Sequence, residues 1–181
     1  MLPRDMQIKF MKKILFLLCL VITAGCTNAQ NSNPPAADKK AATPTAIAPY
    51  HILTTDSVYT TPADLKKNKP VMIIYFSPDC SHCQHLMYEM KPKMAAFKNV
   101  QVVMVTWVKQ LEAIRVFARD FDLKKHPNFT VGTEGYTMVV QRYYDVHTTP
   151  YIAMYDKNHK LVKDWEKAPS VDELADEAKK L

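Results

Sequence analysis

Two kinds of apolar spacing take turns along the chain from about residue 50, and together they predict a layered fold. Residues 71–77 (VMIIYFS) and 100–108 (VQVVMVTWV) are short, almost unbroken apolar runs. Such runs suit strands covered on both faces. Between them Leu86, Met87, Met90, Met94 and Phe97 fall on one face of a helix over residues 83–97, with a kink expected at Pro92. Leu111, Ile114, Phe117, Ala118 and Phe121 repeat the helical spacing over residues 110–123. Residues 129–131 read as a short strand and residues 135–144 as a helix. Residues 151–155 and 160–165 make a hairpin turning at Asp156-Lys157-Asn158-His159. Ser170-Val171-Asp172-Glu173 is a capping box for a last helix with Leu174, Ala178 and Leu181 on its buried stripe. Upstream, residues 50–53 read as a first strand, and Thr61-Pro62-Ala63-Asp64 places a cap and a first-turn proline at a short helix start. Alternation followed by a terminal hairpin predicts an α/β fold, a central mixed sheet with helices on both faces.

The first 49 residues follow a different rule. Lys9, Lys12 and Lys13 precede an uncharged run of eleven residues, 14–24. That length suits the apolar part of an export signal and is short for a bilayer-spanning helix. The run ends in Thr23-Ala24-Gly25-Cys26, small residues directly before a cysteine. This resembles a bacterial lipoprotein cleavage box, and the resemblance implies that Cys26 is lipidated and becomes the first mature residue. Residues 27–49, rich in Pro, Ala, Asn and Thr without apolar period, read as a tether. The expected organisation is a signal over 1–25, a lipidated N-terminus and flexible linker over 26–49, and one domain over 50–181. The domain is expected to be a monomer at the cell envelope, facing the periplasm or the surface. The net charge of +6 falls to +3 once residues 1–25, with four bases and one acid, are removed. With no basic stripe interleaved with aromatics, the balance argues against a nucleic-acid partner.

Cys80-Ser81-His82-Cys83 carries the chemistry. The pair sits just after an apolar strand and just before a helical pattern. A helix N-terminus offers unpaired N–H groups and partial positive charge, both of which favour a thiolate, the nucleophile of disulfide exchange. Cys80 and Cys83 are the only cysteines beyond residue 26, which excludes a four-cysteine zinc site and a multi-bridge scaffold within the chain. The pair is then a local redox couple, a structural disulfide or half of an intermolecular metal site.

Strand, C-x-x-C, helix, and then Thr149-Pro150 directly before a terminal hairpin resemble the thioredoxin superfamily. The export signal and tether narrow the resemblance to membrane-tethered TlpA/ResA-like redoxins; it covers residues 50–181. It implies a thioredoxin-like fold and thiol–disulfide oxidoreductase activity without a cofactor, acting on protein dithiols or disulfides with a redox partner protein. It implies that Cys80 attacks and Cys83 resolves the mixed disulfide. Pro150 would be cis beside the pair, and Thr149 would offer its backbone to an extended substrate segment. The chain departs from the family pattern at two positions. Ile74 stands where many members have a buried acid, and Asp79 where many have an aromatic residue. His82, directly before the second cysteine as in oxidising DsbA-like enzymes, is the expected tuning residue, since a protonated imidazole near Cys80 stabilises the thiolate. The alternative is a binding protein on the same fold, or a copper carrier using Cys80, Cys83 and His147, because soft thiolates suit Cu(I). No resident metal is expected.

Overall fold

The structure, a computed structural model, describes residues 44–181; the expected signal, Cys26 and most of the tether lie outside the described residues. Strands β1 (Ile52–Thr54) and β2 (Tyr59–Thr60) form a small hairpin. Strands β3 (Val71–Tyr75), β4 (Gln101–Thr106) and β5 (Phe129–Thr133) run parallel. They are joined through helices α1 (Ser81–Met90) and α2 (Leu111–Asp120). After α3 (Val139–Tyr143) come the antiparallel pair β6 (Tyr151–Tyr155) and β7 (Leu161–Trp165), and then α4 (Val171–Lys180). The sheet order is β2-β1-β5-β4-β3-β6-β7, so β3 lies between parallel β4 and antiparallel β6. This is the mixed sheet that the alternation of apolar periods predicts.

Because successive strand residues point to opposite faces, β3 feeds two cores. Met72 and Ile74 join the larger core with α1, α2 and α4, through Leu86, Met87, Met90, Ile114, Phe117 and Leu174. Val71, Ile73 and Tyr75 join the second core with Val140 and Tyr144 of the α3 region. All five residues of β3 are buried, which is why that stretch reads as an unbroken apolar run.

The structure differs from the sequence reading in several places, each for a local reason. The helix expected over 83–97 starts at Ser81, and at Lys91-Pro92 it tightens into a 3-10 helix, Lys91–Phe97. Proline lacks the N–H that an α-turn needs, so the kink becomes a change of helix type. The helix expected over 135–144 is a 3-10 turn, Gly135–Thr137, and then α3; Met138 at φ 47° in the left-handed region separates them. Strand β2 has no counterpart in the sequence reading. The Ser170 hydroxyl accepts from the Glu173 N–H at 3.2 Å as a cap should, but the Glu173 carboxylate accepts from Lys163 Nζ and Trp165 Nε1 of β7.

The packed domain also begins earlier than Tyr50. Ala48 and Tyr50 are buried in the second core. The Tyr155 hydroxyl donates to the Ala46 carbonyl at 3.1 Å and lies 2.7 Å from the Tyr144 hydroxyl, which accepts from the Ala48 N–H at 2.9 Å. The Tyr143 hydroxyl also donates to the Ala46 carbonyl, at 3.2 Å, and the Leu161 N–H donates to the Thr45 carbonyl at 2.9 Å. Ala48 buries among the tyrosines while the exposed Ala46 is held by its carbonyl, so a composition typical of linkers here packs as part of the domain.

Candidate active site

The reactive pair hangs from the end of β3. The Phe76 N–H still bonds the Val105 carbonyl at 2.9 Å, and the chain then leaves the sheet through Ser77, Pro78 and Asp79. The Cys80 N–H returns to the Ser77 carbonyl at 3.2 Å, and Gln84 Nε2 braces the turn by donating to the Pro78 carbonyl at 2.7 Å. Cys80 takes an extended conformation (φ −80°, ψ 117°) at the cap position of α1, and its carbonyl accepts from the Gln84 N–H at 3.0 Å. No side-chain oxygen caps this helix, so its first N–H groups remain free to act on the sulfur.

The two cysteines have unlike surroundings. Cys80 is partly exposed, whereas Cys83 is 1% exposed within the larger core. Burial alone would push the Cys80 thiol up, but hydrogen bonds from the Thr149 side chain, from the N–H and thiol of Cys83 and from the His82 N–H together outweigh it. The net effect holds Cys80 below the usual thiol value. Burial pushes the Cys83 thiol up to about 12; the Ser77 N–H offsets this in part, and the proximity of Cys80 adds to it.

The strand opposite supplies the second wall. Tyr151, the first residue of β6, pairs with Tyr75, the last of β3. The preceding Thr149–Pro150 bond is cis, as the resemblance implies, and the Thr149 carbonyl lies 3.4 Å from Cys80 Sγ. That carbonyl can accept from the protonated thiol, while the Thr149 hydroxyl favours the thiolate. One residue therefore contacts Cys80 in both protonation states.

Of the other residues singled out by sequence, His82 and Asp79 are exposed beside the pair. His85 lies 3.3 Å from Glu89, and His147 lies 3.3 Å from Asp145. Among the described residues no three His, Cys, Asp or Glu side chains converge as a metal site, so the Cys80, Cys83 and His147 set of the copper alternative is not assembled. Ile74 is fully buried in the core that holds Cys83, leaving no carboxylate at that position.

Two features escaped the sequence reading. A groove of about 930 Å³ runs past His82, Leu86, Thr149 and Pro150, and its far side is the segment 166–170 ahead of α4. That segment is irregular and carries no motif, so only the fold brings it to the site. The second feature is Glu134, a buried carboxylate at the end of β5. It accepts from the Tyr75 hydroxyl at 2.9 Å and from the Val140 N–H at 2.8 Å. Tyr75 belongs to the second core, so Glu134 ties β3 to α3 on the face away from Cys83 and does not replace the acid absent at position 74.

The comparisons agree with this fold. A thioredoxin-like domain family matches residues 64–181. A secreted disulfide oxidoreductase of Mycobacterium tuberculosis, homologous to E. coli DsbE, is 22% identical with a TM-score of 0.61, over 74% of this chain and 96% of that one. DsbF from the same organism (MTB) is 21% identical with a TM-score of 0.63, over 74% and 95%. StoA of Bacillus subtilis is 14% identical with a TM-score of 0.55, over 74% and 98%. A comparison with curated protein sequences finds no match. The chain belongs to the thioredoxin-like domain family.

Proposed function

We propose that the protein is an exported, membrane-anchored thiol–disulfide oxidoreductase whose Cys80–Cys83 pair cycles between dithiol and disulfide. The observation that carries this reading is the inequality of two cysteines three positions apart. One is partly exposed and favoured as a thiolate; the other is buried and held protonated.

In the reducing direction the Cys80 thiolate attacks one sulfur of a substrate protein disulfide. The substrate S–S bond breaks, the departing thiolate takes up a proton, and Cys80 is left in a mixed disulfide. Cys80 then carries no charge, so its opposition to ionisation of Cys83 disappears. Cys83 loses its proton and attacks the Cys80 sulfur, the second substrate thiol leaves, and two electrons have passed to the substrate. A partner dithiol protein drives the reverse sequence. No cofactor takes part. The groove beside Thr149 seats an extended substrate segment by backbone pairing. His82, exposed at the first turn of α1, tunes the pair through its backbone N–H, which favours the Cys80 thiolate. Export and anchoring rest on the basic and apolar N-terminal pattern and on lipidation of Cys26. Among the described residues no helix is long and apolar enough to cross a membrane.

Insulin reduction under dithiothreitol tests the chemistry. Cys80→Ser is expected to abolish turnover and Cys83→Ser to accumulate mixed disulfides. A Cys80→Ser protein with full activity sinks the proposal. Lipid labelling that survives Cys26→Ser would remove the anchoring part alone.

A further inference from the structure

Strand register and lysine placement build a second surface at the end of the sheet opposite Cys80. Val71 opens β3 and is paired with Gln101 on one side and Tyr155 on the other. The loops leading into β3 and β4 and the turn joining β6 to β7 are therefore neighbours at this end. They carry Lys66, Lys67, Lys69, Lys98, Lys157 and Lys160, all exposed. The Gln101 side chain fixes the first loop to β4: its oxygen accepts from the Lys66 N–H at 2.6 Å and its Nε2 donates to the Lys66 carbonyl at 3.0 Å.

Among the described residues none of these six lysines bridges to a carboxylate, and they outnumber the two acids at this end, Asp64 and Asp156, by three to one. Elsewhere in the described domain Lys91, Lys124, Lys125, Lys163, Lys179 and Lys180 each bridge to a carboxylate, whereas Lys109, over the Tyr136 ring, and Lys167 do not. The two acids flanking the lysine-bearing loops are engaged in their own turns. Asp64 accepts from Thr60 and Thr61, and Asp156 from the N–H groups of Asn158 and Lys160. Only Lys160 sits close enough to Asp156 to lower that carboxyl. A hollow of about 420 Å³ lined by Lys66, Lys69 and Lys98, with Asp64 on its wall, opens on the same end.

The chain also joins the domain here. Thr45 is bound to Leu161, which pairs with Tyr155 next to the lysine-bearing turn. On the proposed function, the lipid-bearing Cys26 lies 19 positions ahead of that junction in the sequence, which brings a bilayer to this end of the domain.

We propose that this basic end docks on an anionic bilayer surface, with Cys80 directed away from it. Flexible lysines without arginine forks or stacking aromatics suit a diffuse field of headgroups better than a shaped ligand. The five residues of β3 separate the two ends by roughly 15 Å, more than a Debye length at physiological salt. Docking therefore leaves the cysteine pair both accessible and outside the lipid field. The proposal goes beyond the redox reading; it rests on the proposed anchoring for the nearness of a bilayer and needs no turnover.

The test is flotation of the full chain with phosphatidylcholine vesicles and with vesicles containing about 30% phosphatidylglycerol. The N-terminal segment is common to every variant, so variants report the domain alone. The combined Lys66→Gln, Lys67→Gln, Lys69→Gln and Lys98→Gln protein is expected to lose about tenfold or more of the preference for anionic vesicles. The four matching Lys→Arg changes are expected to keep it, and salt at about 0.5 M to abolish it in the wild type. An unchanged thermal midpoint and an unchanged alkylation rate at Cys80 establish that the Gln variant is folded. A folded Gln variant within about twofold of wild type overturns the proposal. So does equal wild-type binding to both vesicles, which assigns these charges to an acidic protein surface instead.

Discussion

Reducing the cysteine pair and adding iodoacetamide at pH 7 should alkylate Cys80 and spare Cys83. The size of the preference follows from the two environments. With its thiol at about 12, Cys83 is a thiolate in roughly one molecule in 10⁵ at pH 7. Cys80 lies below the ordinary 9.0, so its thiolate fraction is at least about one in 10². Ionisation alone favours Cys80 by about a thousandfold or more. Intrinsic nucleophilicity works the other way: a Brønsted slope near 0.4–0.5 over about three units returns a factor of roughly 20 to Cys83. About fiftyfold remains before burial of Cys83 is counted, and burial only adds to it. The assay is a timed quench, with fragmentation mass spectrometry to separate the two sites on their shared peptide. The Cys80 rate should climb about tenfold per pH unit and level off below pH 9. Rates at the two cysteines within a few-fold of each other, or a Cys80 rate still climbing unbroken past pH 9, would refute the assignment of nucleophile and resolving thiol.

Gly132→Ala should split β1 from β5, because a Cβ there would lie 2.7 Å from the Leu53 carbonyl oxygen; urea unfolding should show a loss of about 1–3 kcal/mol. Tyr155→Phe removes the hydroxyl that holds Ala46 and meets Tyr144, and should cost about 1–3 kcal/mol in the same assay, with residues 44–48 becoming protease-sensitive first. The raised Cys83 thiol also couples folding to pH. The unfolded thiol ionises at lower pH than the folded one, so this contribution is complete below about pH 8.5 and is lost as pH rises toward 12, at up to about 1.4 kcal/mol per unit. Reduced Cys83→Ala should therefore show a shallower alkaline decline in urea midpoint than the reduced wild type.

The central strands were legible because burial on both faces leaves no room for polar residues: β3 and β4 stand out as apolar runs, and the cysteine pair follows from its place after the first of them. Thr149-Pro150 was legible only through resemblance, since no local spacing links it to residues some 70 positions earlier. Where the fold is decided by contacts across the molecule, the sequence said less. Strand β2 is two residues long and, among the described residues, pairs with β1 alone. The break at Met138 needs a left-handed conformation that methionine does not advertise. Ala46 and Ala48 look like tether until Tyr143, Tyr144 and Tyr155, which bond their backbone, are placed. The 166–170 wall of the groove follows from the return of β7 toward the cysteine end, which a sequence window does not see.

The clamp on residues 45–48 has a mechanical consequence. A pull on the chain ahead of Thr45 meets the Leu161 bond first and the tyrosine hydroxyls on Ala46 next. The load thus enters β6 at Tyr155, the end remote from Thr149, and spreads through five paired positions of β3. Strand β1, which starts only at Ile52 behind the buried Tyr50, is spared, and the turn bearing Cys80 lies off the force path. Tension applied ahead of Thr45 should leave the spacing between Cys80 and Thr149 intact, so thiol exchange should be indifferent to a pull that is already loosening the clamp.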